Sequence, residues 1–180
     1  MYTGRLIEGK GLDTLFAAMR SLAGIPSWHL LLVGSGSGQV ISVEDKLRKD
    51  AEEGALRGRV TFTGRVDNVA AYLQASDIFA FPTLDEALGM SAVEAQACGL
   101  PAVASRTGGV PDVVEDSVTG ILVPPGETVP LGEALRALLS DPEHRAKLAA
   151  SARARMKERF AYDTMVTRYA ELFRSLTHRG

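Results

Sequence analysis

The sequence contains few of the residues that build disulfide-bonded, membrane-spanning or metal-dependent proteins. Its 180 residues include one cysteine, Cys98, so no internal disulfide forms, and a lone thiol is typical of a reducing compartment. No apolar run approaches the roughly 20 residues of a membrane-spanning helix, and the amino terminus has no signal-like apolar stretch. No Asp-x-Asp pair and no His/Cys/Asp cluster at ligand spacing is present. We therefore expect a cytoplasmic protein without a metal centre.

Composition and charge are those of a globular protein. Hydrophobic residues make up 46% of the sequence and charged residues 23%, which indicates a folded domain large enough to bury a core. The net charge of -2 gives no argument for a nucleic-acid partner. Residues 140–180 carry 9 basic and 5 acidic side chains, whereas residues 1–139 carry 11 and 17. This basic tail is either a solvated helix face or a surface for a membrane or a partner domain.

Short apolar segments alternate along the chain with segments of helical periodicity. Strands are predicted at residues 2–6, 28–33, 60–62, 78–81, 102–104 and 120–123, and from about Val129 the pattern is helical to the end. This alternation predicts an α/β fold, a doubly wound parallel sheet covered by helices on both faces. We expect residues 1–180 to form one Rossmann-like domain.

A stretch near the middle of the chain places two carboxylates, Glu86 and Glu94, around a glycine, Gly89. A predicted strand precedes it and a predicted helix follows, so the pair lies at a strand-to-helix junction. Gly89 lets the backbone approach a ligand, and the free N–H groups of Met90 and Ser91 favour an anion, typically a phosphate. Because a carboxylate beside a phosphate is repulsive, we interpret both glutamates as acceptors for neutral hydroxyls on either side of the anion. A nucleotide-sugar has this order of ribose, diphosphate and sugar.

A glycine-flanked loop near the start of the chain carries Arg5 and Lys10. A helical pattern begins at Leu12, which places Lys10 just before a helix N-terminus. The two cations can converge on one diphosphate, the guanidinium as a fork and the ammonium as a point charge. From these residues alone, two ordinary surface charges at a turn are the alternative.

Two more loops follow predicted strands. Residues 34–38 read Gly-Ser-Gly-Ser-Gly, which is either a phosphate cradle or a plain tight turn, and a capping box is predicted at residues 42–45. Arg65 and Val66 follow the third strand at its carboxyl end, where ligands of open parallel sheets gather. We expect this loop to meet the base, mostly through its backbone.

Four separated motifs together resemble one known family. They are GRLIEGKG from Gly4, the Glu-x7-Glu element, EAQACGLPAVASRTGGVPD from Glu94, and VTGILVPPGE from Val118. In this order they are similar to the donor half of retaining glycosyltransferases of family four, which have the two-domain GT-B fold. The resemblance covers almost all of the chain. One departure is local: Glu-Ala-Leu-Gly from Glu86 stands where the family usually has Glu-Gly-Phe-Gly, in the sugar subsite.

The resemblance implies a role for each matched position. Glu86 would contact the transferred sugar and Glu94 the ribose hydroxyls, while Arg5 and Lys10 would bind the donor phosphates. The implied catalytic residues are Glu86, Arg5 and Lys10. The full set of expected donor-binding residues is Gly4, Arg5, Lys10, Arg65, Val66, Glu86, Leu88, Gly89, Met90, Ser91 and Glu94.

We therefore expect the donor-binding half of a metal-independent glycosyltransferase that uses a nucleoside-diphosphate sugar and no cofactor. Its acceptor-binding amino-terminal domain is not part of this sequence, and any peripheral membrane contact would be made through that absent half. We expect no sugar transfer by the isolated chain. A stand-alone, non-catalytic nucleotide or nucleotide-sugar binding module is the alternative. An oxidoreductase domain is disfavoured because the Gly-x-Gly-x-x-Gly fingerprint and the acidic ribose residue after the second strand are absent.

Overall fold

A computed structural model describes residues 1–177 as alternating strands and helices. The strands are β1 (Tyr2–Thr3), β2 (Leu30–Val33), β3 (Val60–Gly64), β4 (Phe79–Phe81), β5 (Ala102–Ser105) and β6 (Gly120–Val123). The helices are α1 (Leu12–Arg20), α2 (Glu44–Ala51), α3 (Val69–Gln74), α4 (Met90–Ala97), α5 (Val110–Val113), α6 (Thr128–Ser140), α7 (Pro142–Arg159) and α8 (Tyr162–Thr177), with a 3₁₀ turn at Gly54–Leu56. The α/β fold predicted from the sequence is confirmed. Residues 178–180 of the predicted last helix lie outside the described residues.

The strands pair in parallel in two three-stranded sheets, with the orders β1-β2-β3 and β4-β5-β6. Met1 joins their inner edges, because its carbonyl accepts a 2.8 Å bond from Ala80 N–H and its amino group donates to the Ile78 carbonyl at 2.6 Å. β1 and β4 are therefore neighbours, and the strand order reverses between them. Ligands of doubly wound sheets bind beyond the carboxyl ends of the strands at such a reversal. Here that point lies where β1 leads into Gly4 and β4 into Pro82.

Helices cover the sheets on both faces because each one turns an apolar stripe inward. One hydrophobic cluster includes Phe16 of α1 and Leu135 and Leu138 of α6, and the other includes Ala95 of α4 and Met156 of α7. All five are at most 5% exposed. Burial of each large apolar side chain contributes about 1.5–3 kcal/mol, so the packing on both faces fixes the strand ends at which the candidate site lies.

The capping box predicted at residues 42–45 forms only in part. The Ser42 hydroxyl oxygen accepts a 3.3 Å hydrogen bond from the N–H of Glu44, the first residue of α2. The return bond of a capping box is absent, because Ser42 N–H bonds to the Gln39 carbonyl. The Glu44 carboxylate instead accepts hydrogen bonds from the Ser35 hydroxyl at 2.8 Å and from Gly36 N–H at 2.7 Å. Glu44, at the start of α2, therefore ties the glycine-rich loop to the helix eight and nine positions away, which the capping pattern does not predict.

β1 is also shorter than the predicted strand at residues 2–6. Beyond Thr3 the chain leaves the sheet, since Gly4 N–H still bonds to the Val33 carbonyl but Leu6 N–H bonds to the Ser35 carbonyl in the glycine-rich loop. The early end of β1 opens the space into which Arg5 projects.

The last helix, α8, buries none of its residues. Its exposed apolar side chains are Tyr162, Met165, Val166, Tyr169, Leu172, Phe173 and Leu176. In the part of the chain that the structure describes, no helix combines the length and the apolar character needed to cross a bilayer.

Candidate functional site

The end of β1 places Arg5 at the point where the strand order reverses. Its side chain is exposed, and its carbonyl accepts a 2.9 Å hydrogen bond from the hydroxyl of Tyr2. Within residues 1–177 the guanidinium of Arg5 makes no ion pair or hydrogen bond. All five of its donors are therefore available to an anion.

Tyr2 is a site residue that the sequence analysis missed. It is 1% exposed, and its hydroxyl oxygen lies 2.7 Å from the position that a Cβ would take at Gly4. Burial, and next the charge of Glu86, raise the pKa of the Tyr2 phenol well above its usual range. A tyrosine in a strand usually signals only apolar burial, so nothing in the sequence indicated that this hydroxyl orients the Gly4–Arg5 turn.

Lys10 and Glu86, 76 positions apart, form an ion pair. The Lys10 Nζ lies 2.8 Å from Glu86 Oε2, and each side chain is 21% exposed. The two loops meet because Gly11, at a φ of 65°, packs against the carbonyl of Pro82, where a Cβ would overlap the carbonyl oxygen. Leu84 N–H adds a 2.9 Å bond to the carbonyl of Gly9. The structure thus pairs Lys10, the residue predicted to bind phosphate, with Glu86, the residue predicted to bind the sugar.

Two glycines after β5, Gly108 and Gly109, hold the backbone of Glu86. Gly109 N–H donates to the Glu86 carbonyl at 3.2 Å, and a Cβ on Gly108 would overlap that same carbonyl oxygen. The pair thus supports the loop between β4 and α4. In the sequence these glycines stand out only as part of the motif that begins at Glu94, because their close approach to Glu86 depends on a neighbour 22 positions away.

Helix α4 begins at the same edge with its first amide groups free. Gly89 is the N-cap, with a φ of 93° that favours glycine. Its carbonyl accepts from Ala92 N–H and Val93 N–H, whereas no hydrogen bond is donated by the N–H groups of Met90 and Ser91 within the described residues. These two donors, at the positive end of the helix dipole, can receive an anion.

The remaining predicted residues of this loop and helix face two different surroundings. Glu94 is exposed on α4, and its carboxylate makes no hydrogen bond or ion pair within residues 1–177. Leu88 and Met90 instead line an apolar groove of about 560 Å³ with Tyr169 and Leu172 of α8. Only the backbone of Leu88 and Met90 is therefore placed to meet a polar ligand at the helix start.

Arg65 and Val66 share a cleft of about 590 Å³ with Gly4 and Arg5. The glycine-rich loop after β2 forms another wall of this cleft. Since the Gly36 N–H is already bonded to the Glu44 carboxylate, that amide is not available to a phosphate. Burial disfavours the charge of Glu44, yet these hydrogen bonds and the Arg48 guanidinium lower its pKa, so the loop is anchored by a carboxylate.

These groups make an edge that suits a ligand with an anionic centre and hydroxyl-rich ends. Two cations and two amide donors can receive phosphate oxygens, and two carboxylates can receive hydroxyls. The described residues contain no group of three or more His, Cys, Asp or Glu side chains that could hold a metal ion.

Comparison with known proteins identifies the family. The family described as Glycosyl transferases group 1 matches residues 1–155. The chain belongs to this family. The D-inositol 3-phosphate glycosyltransferase of Xylanimonas cellulosilytica is 35% identical to this group 1 glycosyl transferase chain over 181 residues, which cover 99% of the chain and 42% of that protein. A mannosyltransferase of Corynebacterium glutamicum, named as GDP-mannose-dependent and acting on a monoacylated phosphatidylinositol monomannoside, is 36% identical over 95% of the chain and 45% of its own length.

The fold matches solved glycosyltransferase structures. Anabaena Alr3699/HepE in complex with UDP superimposes with a TM-score of 0.88 and 30% identity, over 97% of this chain and 48% of that one. The same Anabaena protein in complex with UDP-glucose gives a TM-score of 0.86. The resemblance and the fold class expected from the sequence are thus confirmed, and the chain corresponds to the C-terminal half of a GT-B glycosyltransferase.

The group 1 glycosyl transferase chain spans less than half the length of the relatives just described. The roles of individual residues, the expected cytoplasmic location and the expected independence of metal stay predictions.

Proposed function

We propose that the chain is the donor-binding half of a retaining glycosyltransferase that transfers a sugar from a nucleoside-diphosphate sugar to an acceptor without a metal ion. One observation carries the proposal: β1 and β4 end side by side, and their loops present Arg5, Lys10 and the start of α4 at one edge. Glu86 contacts Lys10, and Glu94 is an exposed residue of α4. The family and the UDP and UDP-glucose complexes of the Anabaena neighbour support this use of the edge.

The proposed donor runs across the edge in order. Its diphosphate lies between Arg5 and the first amides of α4, where charge-assisted bonds are strongest. Its ribose hydroxyls bond to Glu94, which is exposed and has no partner within residues 1–177. Its sugar hydroxyls bond to Glu86, and its base enters the cleft lined by Arg65 and Val66. The relatives name both UDP and GDP-mannose, so either base is a candidate.

The proposed chemistry needs negative charge on the leaving diphosphate to be stabilised as the glycosidic bond breaks. Fixed cations aimed at that position do this without reorganising solvent. Arg5 and Lys10 supply two of them, and the N-terminal end of α4 supplies a partial positive charge. A metal ion is not required for this stabilisation.

We propose further that the isolated chain binds a donor but transfers no sugar. The groups at this edge can bind the phosphates and hydroxyls of one ligand. The matched relatives are more than twice as long as the part of them that the chain covers. The second half of such an enzyme would hold the acceptor and would exclude water from the reaction. Positioning and exclusion of water account for much of such a rate. The exposed apolar face of α8 is the proposed surface for that second half.

The test measures binding and transfer separately. The pure chain is titrated in a chelator with UDP, GDP, UDP-glucose and GDP-mannose, and each mixture is then assayed for free sugar and for release of nucleoside diphosphate. We expect micromolar to millimolar dissociation constants and no turnover. A chain that binds none of the four ligands would refute the proposal, and efficient turnover would show that this half is a complete enzyme.

A hybrid separates the proposed transferase half from a stand-alone binding module. The chain is joined to the amino-terminal half of the Anabaena neighbour and tested for release of UDP from UDP-glucose. If the hybrid releases more UDP than the chain alone, the result supports the proposal that the chain is half of a transferase. A folded hybrid that binds UDP-glucose but releases no UDP supports a module without catalysis.

A further inference from the structure

The ion pair between Lys10 and Glu86 conflicts with the roles that the proposed function gives to these two residues. The proposal asks Lys10 for the diphosphate and Glu86 for the sugar, yet in this structure each is the partner of the other at 2.8 Å. A phosphate oxygen bound to the same ammonium would lie close to the Glu86 carboxylate. Like charges at that separation repel, so the pair and the diphosphate compete for Lys10.

The side chain of Glu86 can resolve this competition although its backbone is held. Its carbonyl is held by Gly109 N–H, and Gly108 packs against it without space for a side chain. The Glu86 side chain folds back over the start of α4, with its Cγ 3.8 Å from the position that a Cβ would take at Gly89. Its carboxylate can therefore leave Lys10 by rotation about side-chain bonds while the loop stays in place.

We propose that Glu86 occupies Lys10 in the unliganded chain and is displaced when a nucleotide-sugar binds, so that the site discriminates against the bare nucleoside diphosphate. This inference rests on the proposed function and adds a mechanism to it. With a sugar present, the displaced carboxylate gains hydroxyl donors. With the sugar gone, it has none and returns to Lys10, which weakens the hold on the diphosphate. Glu86 is thus a specificity-determining residue that favours entry of the donor and departure of the product.

The experiment compares dissociation constants for UDP and UDP-glucose in the whole chain and in variants. Glu86→Gln keeps the size of the side chain and removes its charge. We expect it to tighten UDP binding about three- to ten-fold. The variant frees Lys10 from its ion pair and removes the repulsion between the Glu86 carboxylate and the diphosphate. UDP-glucose should gain less than UDP or bind more weakly, so the preference for UDP-glucose over UDP falls.

Asp85→Asn is the matched control, because Asp85 is the neighbouring exposed carboxylate and makes no side-chain bond within residues 1–177. It should leave the ratio of the two dissociation constants within about two-fold of the wild type. Combining Glu86→Gln with Lys10→Gln tests the competition directly. The gain in UDP affinity should shrink when Lys10 is absent, since contacting residues are not additive.

Three results would overturn the inference. They are a Glu86→Gln variant that binds UDP no more tightly than the wild type, an equal gain from Asp85→Asn, or an undiminished gain without Lys10. Each leaves the proposed function standing if the wild type binds UDP-glucose. A wild-type chain that binds neither UDP nor GDP, nor their sugars, would instead remove the proposed function and the inference with it.

Discussion

Replacing Arg5 by Ala is the sharpest test of the proposed phosphate contact. The guanidinium is exposed and has no partner within residues 1–177, so its removal leaves no buried group unsatisfied. The free energy of unfolding should therefore change by less than about 0.5 kcal/mol. A hydrogen bond to a charged group contributes about 1.5–3 kcal/mol, which corresponds to about 10- to 150-fold weaker binding of a nucleoside diphosphate.

Calorimetry with UDP and with uridine separates a phosphate contact from a base contact. The Arg5→Ala variant should lose UDP affinity and keep its uridine affinity, and the loss should shrink as salt screens the charges. Arg65→Ala is the matched control, because Arg65 lines the same cleft on the side proposed for the base. Any loss that it causes should be equal for the two ligands. Equal losses from Arg5→Ala would refute the assignment of Arg5 to the diphosphate.

Three further predictions concern the ribose contact, the support of the site and the surface of α8. Glu94→Gln should weaken UDP binding about ten- to a hundred-fold by calorimetry, and an unchanged affinity in the folded variant would remove Glu94 from the site. Tyr2→Phe should lower the unfolding free energy in urea by about 0.5–1.5 kcal/mol at neutral pH through loss of the bond to the Arg5 carbonyl. Folding raises the pKa of Tyr2, so the wild type should lose about 1.4 kcal/mol per pH unit above about 10, where the unfolded phenol ionises first. A wild-type advantage over Tyr2→Phe that stays constant to pH 11 would contradict this. Phe173→Ser on α8 should change stability by less than about 0.5 kcal/mol, whereas Leu148→Ala in α7, where the side chain is 2% exposed, should cost about 2–4 kcal/mol, and equal losses would show that the α8 face is buried.

The order and type of the strands and helices were predictable because each is specified locally. The run Leu30–Val33 is apolar enough to be a buried strand wherever it packs, and the stripe of α1 repeats within its own nine residues. Asn68 caps α3 by accepting a hydrogen bond from Ala71 N–H, a role that asparagine commonly takes just before a helix. The ends of the elements were less predictable. β1 ends at Thr3 because the chain beside it changes there from strand β2 to the glycine-rich loop, and this neighbour is not evident from the sequence of β1.

The sequence predicted which residues form the candidate site but not which of them contact each other. Motif and spacing brought out Lys10 and Glu86, and no local rule joins residues 76 positions apart. Two close approaches set their separation: Gly11 against the Pro82 carbonyl positions one loop, and Gly108 against the Glu86 carbonyl positions the other. Both depend on the absence of a Cβ next to a particular neighbour, which a single sequence does not reveal. Since the two glycines fix the backbones that carry the ion pair, the competition between Glu86 and a diphosphate is a property of the fold as much as of the charged residues.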